Sequence, residues 1–452
     1  THFKLAIMSY TEFYSDKTIL APMVRIGTLP MRLLALRYGA DLVYTEELID
    51  WKLLRTERRQ NDVLGTTDFI DRTDGTVVFR TCPEEKDRVI LQIGTCDADR
   101  AYQVARLIEN DIAGIDINMG CPKEFSLKGG MGAALLTQSE KATRILQKLV
   151  SGIKRPITCK IRLLENESDT IKLCEKFAAC GISAIAVHGR TKFERHQHSN
   201  RNETIKKIAN TLTIPVIANG GSKEIEINED IKKFKDETGC SSVMIARAAE
   251  WNVSIFRKEG KLPLDEVIST YLKCAIDFDN SPSNTKYCIQ NILRELQDSD
   301  KGREFLESQT LQQMSHLWGV DNYYKEVKEK HDAMGLIGRR DVCPTSYKKH
   351  CADSDFIEME CAFLRNLYPK DPDLPKSRLL RWTKAQGFKI PLYETCQIDK
   401  LFKSIVTVNS KKYSSSFWEK NKRWAEQGAA IVCLCSNGVL EKKILRETGV
   451  LR

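Results

Sequence analysis

Eight short runs rich in apolar and β-branched residues recur between residues 18 and 248. They are TILAPMV (18–24), DLVYTE (41–46), VILQIGT (89–95), GIDINMG (114–120), PITCKIR (156–162), AIAVHGR (184–190), PVIANGG (215–221) and SVMIARA (242–248). Most are separated by stretches of helical periodicity, such as DADRAYQVARLIEN (97–110), SEKATRILQKLV (139–150) and SDTIKLCEKFAAC (168–180). In the last of these, Ile171, Cys174, Phe177 and Ala178 share one helical face. Continuous apolar strands suit a parallel sheet, which is buried on both sides. Strand–helix alternation repeated eight times over about 250 residues predicts an α/β fold, a (β/α)8 TIM barrel, with a doubly wound sheet as the rival. The longest irregular insert, 61–88, carries a TDG turn between apolar runs and predicts a hairpin.

After Trp251 the pattern changes. Residues 263 to 335 read as helix throughout, as in LDEVISTYLKCAIDFD, with no intervening strand. Residues 338–376 are polar and contain Pro369, Pro372 and Pro375, the composition of a linker. The remainder runs helix, strands, helix. The expected organisation is a barrel at 1–257, a small all-α domain at 258–337, a linker and basic extension at 338–370, an α+β module at 371–440 and a tail at 441–452.

Length supports this division, since 452 residues exceed one ordinary domain. No apolar run reaches the ~18 residues of a membrane helix, so no membrane contact is expected. The N-terminus, THFKLAIMSYTEFYSDK, lacks the basic start and cleavage site of a secretory signal, and Met8 is a candidate internal start. Fifteen cysteines, an odd number without a disulfide framework, point to free thiols in a reducing compartment. A cytoplasmic location is expected, with a nuclear pool left open. The net charge of +9 is uneven. Residues 371–452 hold sixteen Lys and Arg against eight Asp and Glu, so nearly all the excess lies there. A basic end on a near-neutral body suggests a polyanion-binding appendage.

In such a barrel the working groups sit at the C-terminal strand ends. Here those ends carry Pro22-Met23, Glu46-Glu47, Gln92, Asn118 with Cys121, Lys160, His188, Asn219-Gly220-Gly221 and Ala246-Arg247. The last two strand ends are the usual phosphate position. Asn219-Gly220-Gly221 lets backbone approach an anion, GGSKEIEI would open a helix N-terminus toward it, and Arg247 forks onto phosphate oxygens. Lys160, at the end of an apolar strand, needs an anionic partner. Gly130-x-Gly132 is not a dinucleotide fingerprint, because Leu135 stands where Gly or Ala is required. His188, His196 and His198 lack the companions of a metal site, and no metal is expected. Cys121, between Gly120 and Pro122 at the barrel mouth, is placed to act as nucleophile or proton donor.

INMGCPKEFSLKGGMGAALL, with LAPMVRIGTLPMRLLALRYGADLVYTEEL, LQIGT, TCKIR, AVHGR, VIANGG and MIARAA, resembles the tRNA-dihydrouridine synthase family over residues 18 to 257. The resemblance implies FMN, with NADPH (or NADH) as reductant, and tRNA as substrate. It implies that Pro22, Met23, Val24, Glu47, Gln92 and Lys160 surround the flavin ring. His188, Asn219, Gly220, Gly221, Ala246 and Arg247 would hold ring and phosphate. Cys121 would be the general acid that gives a proton to uracil C5 while hydride reaches C6, and Asn118 would orient the base. Arg190 is assigned to the RNA side.

The basic end resembles a double-stranded-RNA-binding domain. SRLLRWTKAQG matches its first helix and NKRWAEQGAAIVCL its second, whose Lys420, Lys422 and Arg423 would grip phosphates. Arg365 and Lys376 would extend that surface. The turn TCQIDKLF departs from the usual pattern, and Gly428 stands where Ala is commoner. Barrel plus RNA module points to the branch acting on position 20 of the D-loop. Other double-stranded RNA and RNA-binding proteins are further partners this module allows. The alternatives are a flavin barrel acting on a free small molecule and a non-catalytic RNA-binding scaffold.

Overall fold

A computed structural model describes residues 10–451, apart from 11, 73–74, 309, 337–355, 369–370, 399–400 and 449. The N-terminal reading around Met8 and much of the expected linker lie outside the described residues. Two compact units are present: residues 1–54, 58–69 and 78–334, and residues 55–57, 70–77 and 335–452.

The eight apolar runs form β1 (Thr18–Leu20), β2 (Leu42–Tyr44), β3 (Val89–Gly94), β4 (Gly114–Met119), β5 (Ile157–Leu163), β6 (Ala184–Thr191), β7 (Val216–Asn219) and β8 (Ser242–Ile245). All pair in parallel in the order β2-β1-β8-β7-β6-β5-β4-β3, and β2 pairs with β3 to close the ring. The fold is the expected (β/α)8 barrel. A doubly wound sheet would leave two edges unpaired, and closure removes them.

Helices cover the outside. Asp97 accepts from Arg100 N at the start of Ala98–Ile108, and Asn166 caps Glu167–Ala178 through Ser168 N and Asp169 N. The helix Glu167–Ala178 buries Thr170, Leu173, Cys174 and Phe177, so the expected face is turned by one position. Ile171 and Ala178 lie at its half-buried margin. Between strands and helices runs one large apolar layer. Inside the ring is a second core, with Tyr14 and Tyr44 set among small residues such as Ala184 and Ala186. Large beside small is how a narrow barrel fills.

Strand register explains why the barrel's top is polar. Gln92, Asp116 and Thr158 are aligned across β3, β4 and β5. Two residues further along, Asn118 aligns with Lys160. Above that, Arg162, His188 and Asn219 are aligned across β5, β6 and β7. Alternate strand residues face the same way, so each strand carries its apolar interior positions into polar ones at the mouth.

The expected hairpin is a three-stranded sheet, Thr56–Asn61, Thr66–Asp71 and Val77–Thr81. Its first strand, TERRQN, is mostly exposed and lacks apolar alternation, which hid it from the sequence. The helices Leu264–Asp277, Pro282–Leu293, Asp300–Glu307, Leu311–Leu317 and Asp321–Ala333 follow. They pack against the barrel. Val267, Tyr271, Ile289, Phe305 and Met314 belong to the same continuous core as the barrel's outer layer.

The second unit contains helix Pro375–Ala385, strands β10 (Leu392–Ile398), β11 (Leu401–Val408) and β12 (Lys411–Ser415), and helix Lys422–Ser436. This is the helix–strands–helix order expected. A further strand, β9 (Phe356–Met359), pairs in parallel with β12. Leu445, Val450 and Leu451 are buried in this unit's core, and Cys361 bridges to Leu451. Residues 356–359 and these tail residues therefore pack with this unit on either side of the 371–440 span. Gly428 faces Ser415, whose Cβ would lie 3.3 Å from an added methyl. The glycine that weakens the helix by up to ~1 kcal/mol also lets it sit close to the sheet.

Candidate active site

Two adjoining cavities open at the C-terminal end of the barrel. The wider, of about 260 Å³, is lined by Pro22, Met23, Val24, Glu47, Gln92, Asn118, Cys121, Lys160, His188, Asn219, Ala246 and Arg247, among others. The narrower, of about 120 Å³, is lined by Arg190, Arg195, His196, Gly220, Gly221 and Ser222. Arg162, His188, Asn219, Ala246 and Arg247 line both. Apart from Glu46, whose carboxylate accepts from Arg25 N at 2.8 Å, the strand-end residues singled out from the sequence are thus brought together around one space.

The narrow cavity carries no carboxylate among its lining residues, while Arg162, Arg190, Arg195 and Arg247 all reach it. Ser222 Oγ is buried there without a hydrogen-bond partner. His188 is held far below the usual imidazole range by burial and then by Lys160, Arg162, Arg190 and Arg247, so it is neutral. Burial, with Arg195 and Arg190 beside it, pushes Arg162 down to about 10. Such a concentration of cations, with an orphaned hydroxyl, fits a bound phosphate. Gly220 has φ +117°, and a Cβ there would stand 2.0 Å from Asn200 Oδ1. Glycine is required at this turn.

Two sequence expectations need correction here. No helix opens at Gly221: residues 222–224 form a turn and the helix starts at Asn228. The anion would be met by side chains and turn backbone. Arg190 is not on an RNA-facing surface. It is 1% exposed, and its guanidinium donates to Gly220 O at 2.7 Å and His198 O at 2.8 Å. It braces the narrow cavity's wall.

In the wider cavity the backbone of Cys121 is fixed from two sides. Asn118 Oδ1 accepts from Cys121 N at 2.9 Å and Gly120 N at 3.0 Å. Cys121 O accepts from Ala133 N at 2.9 Å. Gly132, at φ +57°, approaches so closely that a Cβ would lie 2.6 Å from Cys121 O. The glycine-rich loop after the cysteine is therefore its support. The thiol is half-buried and lines the cavity. Ser126 Oγ donates to its sulfur at 3.3 Å. Burial first, then the charge of Glu47, pushes the thiol pKa up, which keeps it protonated at neutral pH.

Lys160 is pushed down to about 8, by burial first and Arg162 next, while the carboxylate of Asp116 opposes the shift. Beside the flavin expected from the sequence as the anionic partner of Lys160, the protein thus supplies a buried carboxylate of its own, Asp116. Arg162, Asp116, Ser126 and Ser222 were missed from the sequence. Arg162 and Asp116 were findable, since each sits two residues from a chosen strand residue and so shares its face. Nothing local marked the two serines.

In the second unit, Lys422 and Arg423 are exposed at the start of helix Lys422–Ser436, capped by Asn421. Lys420 is exposed just before it. Lys376 is half-buried, ion-paired with Glu426 and 4.5 Å from the ring centre of Tyr393. Arg365 donates to Tyr368 O at 2.6 Å and Asp371 at 2.8 Å.

The dihydrouridine synthase family model matches residues 19–309. A tRNA-dihydrouridine(20) synthase (NAD(P)+) of Schizosaccharomyces pombe is 38% identical over 367 residues, covering 78% of this chain and 73% of that one. A tRNA-dihydrouridine(20) synthase (NAD(P)+) of Saccharomyces cerevisiae is 36% identical over 299 residues, covering 62% of this chain and 78% of that one. A crystal structure of a tRNA-dihydrouridine(20) synthase dsRBD domain is 48% identical, covering 20% of this chain and 95% of that one with a TM-score of 0.19. With the family match running from the first barrel strand into the helices beyond the barrel, the chain belongs to the dihydrouridine synthase family.

Proposed function

We propose that the protein reduces the C5=C6 bond of a D-loop uridine in tRNA, at position 20, using FMN and NADPH or NADH. The observation that carries this reading is Cys121, a thiol kept protonated on the wall of a cavity that continues into one lined by four arginines and no carboxylate. A planar ring with a phosphate tail suits a wide cavity joined to a narrow basic one. FMN, when bound there, supplies the hydride that adds to uracil C6.

The chain's own residues do the rest. Lys160 keeps its proton at neutral pH and offers an ammonium to the anionic side of a bound ring. Arg190 and the turn at Gly220 hold the phosphate pocket open. Cys121 delivers the proton to C5, so that hydride and proton together saturate the double bond. The sulfur left as thiolate is met by the hydroxyl of Ser126 at 3.3 Å, and then regains a proton from solvent. A nucleophilic role is disfavoured: burial first and Glu47 next raise the thiol pKa, where activation requires lowering it.

A uridine in folded tRNA must be swung out, at a cost of a few kcal/mol offset by contacts elsewhere. The exposed Lys422 and Arg423 at a helix start support phosphate gripping by the second unit. A reducing, cytoplasmic setting is part of this reading, carried by fifteen cysteines without a disulfide framework. The test is incubation of FMN-loaded protein with NADPH and unmodified tRNA, followed by nucleoside mapping. Dihydrouridine at position 20 is expected. Its absence from every tRNA offered overturns the reading.

A further inference from the structure

Beneath the wide cavity the side chains form a hydrogen-bond chain whose direction is dictated from one end. Asp116 is 0% exposed. Thr158 Oγ1 donates to its Oδ1 at 2.7 Å and Gln92 Nε2 donates to its Oδ2 at 2.8 Å. A carboxylate only accepts, so Gln92 turns its NH2 toward Asp116 and its oxygen away. That oxygen accepts from Asn118 Nδ2 at 3.0 Å. Asn118 is then left with its Oδ1 facing the turn, where it accepts from Gly120 N and Cys121 N. The direction required by the backbone donors at one end agrees with that required by the carboxylate at the other.

Counting hydrogens shows what the cavity is offered. Each amide nitrogen carries two, and each spends one within the chain. Both lone pairs of Asn118 Oδ1 are used by Gly120 and Cys121. Gln92 and Asn118 line the cavity, and the groups they have left to offer there are mainly N–H donors. Were Asp116 absent, the Gln92 amide would be free to turn over, setting its NH2 against that of Asn118 and loosening the hold on Cys121.

We infer that Asp116 is a positioning residue which, through Gln92 and Asn118, makes the cavity floor a hydrogen-bond donor surface and pins the turn that carries Cys121. The matching ligand edge is a row of carbonyl and ring-nitrogen acceptors on a conjugated heterocycle, and this part rests on the flavin reading above. Burial pushes Asp116 up to about 6, with Gln92, Thr158 and Lys160 opposing, so the carboxylate is ionised at neutral pH.

The test uses Asp116→Ala, Asp116→Asn, Gln92→Met and the double variant D116A/Q92M in the full chain. Two quantities are read: FMN affinity of the flavin-stripped protein by fluorescence quenching, and the iodoacetamide alkylation rate of Cys121, resolved by peptide mass spectrometry without flavin. D116A is expected to weaken FMN binding by about ten-fold or more, as for an unsatisfied buried donor. D116N keeps an oxygen for Gln92 and an NH2 for Thr158 Oγ1, so it binds FMN more tightly than D116A. Adding Q92M to D116A costs less than about two-fold further, because Asp116 acts through Gln92. In D116A and Q92M, Cys121 alkylation rises about five-fold while that of exposed Cys396 stays constant. D116N as weak as D116A, additive losses, or wild-type affinity in D116A each overturn the inference. Should the wild type take up no FMN, the flavin reading fails and the alkylation rates alone decide the positioning role. Should D116A not fold, Q92M is read by itself, and an unchanged Cys121 rate overturns the inference.

Discussion

Asn118 holds Cys121 by the backbone, its Oδ1 accepting the Cys121 N–H at 2.9 Å just beyond the end of β4. The asparagine is the next-to-last residue of the strand and Cys121 lies two residues past it. One side chain thus converts the rigidity of the barrel into the position of the thiol. Asn118→Ala is expected to lower kcat/KM for uridine reduction by about 10²-fold, the cost of a small misplacement of a reacting group. Denaturant unfolding should fall by about 1 kcal/mol for the lost hydrogen bonds. Steady-state kinetics beside a urea titration separates the two effects, and a kinetic loss no larger than the stability loss would deny the positioning role.

Cys121→Ala removes the proton donor and leaves the cavity otherwise lined as before. Dihydrouridine formation should drop by about 10²- to 10⁴-fold, the range for a general acid. Flavin absorbance and tRNA affinity should be retained, because neither depends on the thiol proton. Nucleoside analysis of tRNA after a fixed incubation gives the answer. Turnover equal to wild type would assign the proton to another group.

Glu47 and Cys121 supply a test of the electrostatics. The thiol is raised first by burial and second by the negative charge of Glu47, and Glu47 is itself raised by burial. At pH 8 the carboxylate is ionised and disfavours thiolate. Glu47→Gln removes that charge and leaves the burial, so the thiol pKa falls part of the way back and more thiolate is present at pH 8. Iodoacetamide reacts with the thiolate, so alkylation of Cys121 at pH 8 should quicken by roughly three- to ten-fold. The difference should shrink as pH falls and Glu47 takes up a proton. A rate that slows, or does not respond to pH, contradicts the coupling.

Much of this architecture was readable because a parallel barrel writes itself as apolar runs at regular spacing. The runs ending in Gln92, Asn118, Lys160, His188 and Asn219 marked both the strands and the rim. What escaped depended on tertiary neighbours without local signature. Ser126 donates to the Cys121 sulfur from the short helix Glu124–Lys128, a geometry no spacing encodes. Arg190 looked available because arginine usually is, yet backbone carbonyls at Gly220 and His198 draw it inward. The helices after residue 263 were read from their periodicity alone. Their apolar faces join the barrel's outer layer, a packing that periodicity leaves open. β9, only four residues long, and the C-terminal tail were hidden by their shortness and by distance along the chain from the sheet and core they join.

Gly220 gives a structural prediction with a clear cause. Its φ of +117° is a region other residues rarely occupy, and a methyl there would meet Asn200 Oδ1 at 2.0 Å. Gly220→Ala should therefore destabilise the first unit by about 1–3 kcal/mol from backbone strain alone, with the clash adding to it. Adding Asn200→Ala should recover the clash component and leave the strain. Urea midpoints for the single and double variants measure both. A single variant as stable as wild type would mean that neither the strain nor the clash constrains this turn.

The second unit yields a prediction about salt. Lys422 and Arg423 are exposed at the first turn of helix Lys422–Ser436. Lys422 Nζ, itself exposed, lies 4.0 Å from Glu426, a long pairing that holds it loosely. Lys376 is held more firmly, by the same Glu426 and by the face of Tyr393. Released counterions dominate RNA affinity, and each phosphate no longer gripped flattens the dependence of log K on log salt by somewhat under 1. Lys422→Ala with Arg423→Ala should weaken tRNA binding and lower that slope by about 1 to 2. Lys376→Ala should change the slope less, because its ammonium is already neutralised within the unit, and should show instead as reduced stability. Binding isotherms between low and physiological salt distinguish these outcomes. An unaltered slope in the double variant would move the phosphate-gripping surface elsewhere on the protein.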